Sequence, residues 1–143
     1  MLSLDSCKKY SPAVLRIGIS LVFLWFGVNQ LIINPESFIG YLPTFLQDHP
    51  DGIPHEHPLQ FAHSLPLAAH LIISLNGLFE IIFGTLLLLG FFVRISAGLL
   101  AVHLFFIALS LGYNDVAVRD FGLLAATIAV FLNGDDEFAF RRK

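Results

Sequence analysis

The chain has 143 residues, of which 56% are hydrophobic and only 13% charged, and its net charge is -3. Soluble domains average roughly 45–50% apolar and about 25% charged residues, so the composition sets aside a water-soluble enzyme in favour of one integral membrane domain over residues 1–143. No basic tract offers itself to nucleic acid, and the single cysteine excludes an internal disulfide, a CxxC redox pair and a four-cysteine metal or cluster site.

A hydrocarbon core of about 30 Å takes about 20 residues of helix, and four apolar stretches reach that length, at 12–33, 67–90, 92–112 and 115–133. The expected fold is therefore all-α, a four-helix transmembrane bundle. The first stretch follows Lys8 and Lys9; it is too long for a signal peptide and lacks a small-x-small cleavage site. Arg16, Ser20, Gly27 and Gln30 share one of its faces. At about 1.5 Å of rise per residue, Asn29 and Gln30 lie roughly 10–11 Å outward of the span centre. Arg16 lies about as far toward the other side, where its stem can snorkel to the headgroups. Trp25 and Phe26 read as helix packing.

The connection at 34–66 opens with "NPESFIGYLPTFLQ", which reads as a short amphipathic segment lying at the membrane interface. Its second half, "DHPDGIPHEHPLQFAH", is polar and proline-broken. Histidines 49, 55, 57 and 63 are spaced more loosely than zinc-binding patterns, so a solvated loop without metal is expected.

In the second stretch Asn76, Glu80 and Gly84 recur at i, i+4 and i+8. Glu80 falls within roughly 3 Å of the midplane, and an ionisable group at that depth is a functional-site hypothesis by default. The plainer alternative is a structural link from Glu80 to Asn76 or His103. "LLLLGFF" then leaves almost no loop, which demands a tight helical hairpin. The third stretch carries Ser96, His103 and Ser110 at seven-residue intervals, one polar stripe with His103 nearly central. A bis-histidine haem would need a second histidine at that depth, and His70 lies too near the outer end of its helix.

The fourth stretch begins "NDVAVRDFGLL" and holds Arg119 and Asp120 side by side, roughly 6–8 Å outward of centre. Arg119 can reach Asp115, Asn76 or Glu80, while Asp120 is turned about 100° away. Each charge is thus expected to serve a different neighbour, in a structural network or in a site for a polar or anionic ligand. Gly122 and Ala126 form a small-xxx-small pair suited to close helix approach.

With an even number of spans both termini and the 90–94 turn share one side. That side holds Lys8, Lys9, Arg16, Arg94, Arg141, Arg142 and Lys143, seven of the eight basic residues, against Arg119 alone on the other. The asymmetry predicts cytoplasmic termini in the plasma membrane, with 34–66 facing outward.

Three segments, "RIGISLVFLWFGVNQLIINPESF", "NGLFEIIFGTLLLLGFFVRISAGLLA" and "RDFGLLAATIAVFLNGDDEFAF", resemble the DoxX family of small four-helix membrane proteins from about Arg16 to about Phe140. The resemblance implies a four-helix bundle with cytoplasmic termini and an association with redox chemistry. Relatives include a membrane subunit of a thiosulfate:quinone oxidoreductase. Family members often carry lysine where this chain has Gln30. The expected function is then a non-catalytic or quinone-interacting membrane subunit of an oxidoreductase-linked complex. Gln30, Asn76, Glu80, His103, Arg119 and Asp120 are its candidate ligand contacts, and quinone is the one candidate cofactor. Because the chain has no flavin, haem or disulfide motif, electrons would come from a redox partner protein. The alternatives are a small-solute or proton transporter, for which a homo-oligomer is the natural form, and a ligand-free membrane scaffold.

Overall fold

The computed structural model describes residues 8–42, 65–112 and 115–140, with the side chains of 65–68 left aside. The described residues contain helices and turns but no strand. Four long helices follow one another: α1 (Ser11–Val28), α2 (Leu65–Leu89), α3 (Val93–Ser110) and α4 (Asp115–Asn133). A π-helical turn at Asn29–Ile33 extends α1, and a 3-10 helix at Pro35–Tyr41 follows it. Each long helix packs on its chain neighbour or neighbours, and α1 also meets α4, so the four close into a ring. Three helices, Ser11–Ile33, Ala69–Leu89 and Val93–Ser110, are long and apolar enough to cross a membrane.

The distribution of residue types is the reverse of a water-soluble protein. Leu21, Ile32, Leu75, Phe106 and Leu132 point outward, while Arg16, Ser20, Gln30, Glu80, Ser96, Asp120 and Thr127 are buried. In lipid every buried polar group must find an internal partner, and most of these do. Ser20 and Thr127, for example, each donate to the carbonyl one turn back, Arg16 and Leu123, at 2.7 Å. Between the polar groups at the two ends lies an apolar core of Ile19, Phe23, Leu87, Val93, Ala97, Leu100, Leu104 and Leu124.

Two glycines set the crossing of α1 and α2. A Cβ on Gly27 would sit 2.7 Å from the Gly77 carbonyl oxygen, and one on Gly77 would sit 2.9 Å from the Gly27 oxygen. The backbones therefore touch, as small residues permit. Gly122 plays no such part: it is exposed, and a Cβ there would meet nothing within 4 Å. The small-xxx-small contact expected at Gly122 is not made, because that edge of α4 faces outward while Thr127 and Leu124 face the core.

The α2–α3 hairpin turns within three residues. Gly90 adopts φ 76° and Phe92 φ 50°, and the N–H groups of Gly90 and Phe91 return to the carbonyls of Leu87 and Leu86 at 3.1 and 2.9 Å. The segment after α4 folds back onto this turn. Phe140 N–H donates to Gly90 O at 3.1 Å, and the rings of Phe91 and Phe140 lie 4.6 Å apart. Tyr10 stacks on Phe138 at 5.6 Å.

Arg16 is the anchor of this end. It is 2% exposed, and its Nε donates to Asp136 Oδ2 at 2.6 Å. Its Nη1 donates to the carbonyls of Leu87 and Leu88 at 2.6 and 2.7 Å, serving carbonyls in the last turn of α2. The expected snorkelling is thus replaced by burial, because "GDDEF" places a carboxylate directly beneath the arginine.

Candidate functional site

The opposite end of the bundle holds the other cluster of polar side chains. The π-turn begins at Asn29, and Asn34 N–H reaches back five residues to the Asn29 carbonyl at 2.9 Å. Such wide turns inside helices are frequent at functional sites. Here the turn begins just after the Gly27–Gly77 crossing, and Gln30 comes to lie against α2, its Cβ 3.0 Å from where a Gly77 side chain would start.

Gln30 then joins Glu80 and Asn76. Gln30 Nε2 donates to Glu80 Oε2 at 3.2 Å. Asn76 Nδ2 donates to Gln30 Oε1 at 2.5 Å and lies 3.4 Å from Glu80 Oε1. Glu80 is 3% exposed. Three of the sequence candidates thus form one hydrogen-bonded knot between α1 and α2.

His103 approaches the knot from α3. Its Nε2 is 3.7 Å from Glu80 Oε1, beyond hydrogen-bonding distance, and this buried nitrogen has no hydrogen-bond partner among the described residues. Its ring packs on Phe79 at 4.6 Å between centroids.

Arg119 and Asp120 pair with each other. Arg119 Nε donates to Asp120 Oδ1 at 3.0 Å, and Nη2 lies 2.9 Å from the same oxygen in the ion pair. The expectation that each charge would serve a different neighbour fails because the arginine stem is long enough to swing back across the 100° between them. Asp120 is buried and Arg119 is half exposed. The guanidinium carbon lies 5.1 Å from the centre of the Phe26 ring, a cation–π distance.

A cavity of about 340 Å³ lies between the knot and the ion pair, walled by all four helices and the 3-10 helix. That volume falls in the range of small-molecule sites, about 300–1,000 Å³. Gln30, Asn76, Glu80, Arg119 and Asp120 all face it, whereas His103 is not on its wall and touches Glu80 from behind. The sequence reading of Trp25 and Phe26 as packing missed that both line the cavity together with Phe38 and Tyr41 of the 3-10 helix. Phe26 meets Phe38 edge-on at 6.4 Å. The signal for this wall was the aromatic density of "FLWF" and "ESFIGY", which sequence periodicity alone could not aim. The histidines 49, 55, 57 and 63 lie outside the described residues.

DoxX matches this chain over residues 11–112. The chain belongs to the DoxX family. No curated protein and no solved structure matches it. The matched segment carries Gln30, Asn76, Glu80 and His103 and ends before α4, so Arg119 and Asp120 stand outside it.

Proposed function

We propose that this DoxX-family protein is a single four-span domain over residues 1–143, with α4 as the fourth span and both termini cytoplasmic in the plasma membrane. In this reading it binds the headgroup of a quinone in the cavity between Glu80 and Arg119, as the membrane subunit of a redox complex. Electrons pass to or from a partner protein, since the sequence has no flavin, haem or disulfide motif. The observation that supports binding most directly is the buried Gln30–Asn76–Glu80 knot on the wall of a cavity of about 340 Å³. An ionisable side chain at membrane depth is costly and marks a functional site by default, and the aromatic wall of Trp25, Phe26, Phe38 and Tyr41 suits a planar ring. The charge asymmetry of seven basic residues against one supports the orientation.

One observation weighs against the transport alternative. The core between the cavity and the cytoplasmic end is mostly apolar, its buried Ser20 and Thr127 hydroxyls are bonded to their own helices, and that end is filled by Arg16, Asp136 and the returning C-terminal segment. A binding site open toward one side fits this better than a pathway.

The test is purification in mild detergent, followed by extraction and mass spectrometry of bound small molecules. Glu80→Gln and Arg119→Ala are prepared beside the unaltered protein. A stoichiometric quinone that is lost in either variant is the expected result. Folded preparations free of ligand, which also fail to take up added quinone, would sink the reading.

A further inference from the structure

A second hollow runs between α3 and α4 and shares no lining residue with the polar cavity. It is an open groove of about 650 Å³, walled by residues such as Ile95, Leu99, Val102, Ile128 and Leu132, and Arg94 is its one polar lining residue. We propose that it holds an acyl chain of an anionic phospholipid whose phosphate sits on Arg94. The proposal rests on α4 lying in the bilayer and not on the quinone.

The groove is open because Gly98 and Ala101 line it with little or no side chain. A Cβ on Gly98 would already stand 3.2 Å from the Phe131 ring. From Arg94 to Phe105, the last α3 residue to line it, is eleven residues, about 16 Å of helix. One leaflet of a hydrocarbon core of about 30 Å is about 15 Å deep. The groove therefore matches the depth of a single acyl chain, with the arginine at its headgroup end.

Arg94 is exposed and forms no hydrogen bond or ion pair with any described residue. Its guanidinium rests on the bend after α4, where a Cβ on Gly134 would stand 2.5 Å from Nε. Packing thus fixes the stem and leaves the Nη groups available for a bidentate bond to phosphate. Of the carboxylates that follow Gly134, Asp136 is bonded to Arg16, and exposed Asp135 forms no ion pair with a described residue. A second copy of the chain fits the groove less well. Copies inserted in one direction would set the same patch against itself. Two concave faces would then meet, with both Arg94 charges at one depth and no carboxylate among the lining residues.

The test places a reporter on the groove wall. Leu132→Trp is introduced at this 68% exposed position together with Trp25→Phe, which removes the one native tryptophan. The full chain is reconstituted in mixed phosphatidylglycerol and phosphatidylcholine vesicles, with brominated acyl chains on one lipid or the other. Bromine quenches tryptophan at contact, so the quenching reports which lipid occupies the groove. Phosphatidylglycerol should be preferred about fivefold, the effect of one basic side chain at an anionic lipid surface. In Arg94→Gln the two lipids should quench equally. Lys9→Gln, which removes a charge at the same end but off the groove, should keep the preference, with circular dichroism confirming each fold. Native mass spectrometry of lipid retained by the chain without the reporter gives the same comparison should the reporter disturb folding. Equal quenching with Arg94 in place would overturn the proposal, and so would a preference lost as fully in Lys9→Gln. Quenching by neither lipid would overturn it as well. The mass in detergent then separates a groove covered by a second copy from an α4 outside the bilayer, which would end the four-span reading too.

Discussion

Arg16 and Arg119 are both arginines in apolar helices, yet their surroundings give them unequal weight. Arg16 makes four hydrogen bonds to Asp136 and two carbonyls while 2% exposed. Removing one partner of a buried ion pair costs about 3–5 kcal/mol, because the other is stranded. Arg119 is half exposed, and such pairs contribute about 1 kcal/mol or less. Arg16→Ala should therefore lower the melting temperature in detergent steeply, and Arg119→Ala should lower it less, by an amount set by the buried Asp120 it leaves without its partner. Asp136 adds a pH signature. Burial alone would raise its carboxyl, but the hydrogen bond from Arg16, the N–H groups of Phe138 and Ala139 and the arginine charge outweigh that and hold it below the ordinary 3.8. A depressed folded-state value means the stabilisation is complete above about pH 4 and is lost as the pH falls through the folded value. Melting temperature measured from pH 6 down to pH 3 should fall in the unaltered protein and fall less in Asp136→Asn. A parallel decline in both would show that other carboxylates dominate. Arg16 could be seen in the sequence as a polar residue on the inward face, but its partner lies 120 residues away. Only the acidic "GDDEF" on the same side hinted at it.

Helix pairing adds a scale at which spacing in sequence is an uneven guide. The inward faces of α1 and α2 were legible, since Arg16, Ser20, Gly27 and Gln30, and likewise Glu80 and Gly84, are buried where the i, i+4 pattern put them. The glycines were harder to rank. Gly27 and Gly77 touch backbone to backbone, whereas Gly18 and Gly122 meet nothing within 4 Å. A stripe of small residues shows that close approach is allowed, and the partner helix decides whether it occurs. Overpacking a tight contact costs about 1–3 kcal/mol, while glycine in a helix interior is about 0.5–1 kcal/mol worse than alanine. Gly27→Ala and Gly77→Ala should each lower the melting temperature, and Gly18→Ala and Gly122→Ala should hold or raise it. Since Gln30 lies one turn beyond Gly27, the first pair should also weaken any ligand held by the Gln30–Glu80 knot. Equal effects from all four substitutions would mean that the crossing is not set by these contacts.

For the whole molecule, composition was decisive: an all-helical membrane protein of the DoxX family was readable from apolar length, inward polar stripes and three segment resemblances. The cavity was not readable, because it is formed by the convergence of five elements whose separations no local pattern encodes. The same convergence divides the bundle into a hollow end and a filled end. From Arg16 to Gln30 is fourteen residues, about 21 Å of helix, and the core between them is built from Phe23, Leu87, Leu100 and Leu104. A proton or polar solute entering beside Glu80 meets that apolar plug before it meets Arg16. Opening the filled end alone would not make a path. The protein reconstituted in vesicles loaded with a pH-sensitive dye should therefore show no proton flux above empty vesicles, and a chain ending at Asp135, which removes the returning segment and the Arg16 partner, should be less stable without becoming leaky. Flux in the unaltered protein that disappears in Glu80→Gln would reverse this assignment and make the knot a relay. Flux in the shortened chain alone would instead identify the C-terminal segment, and not the apolar core, as the barrier.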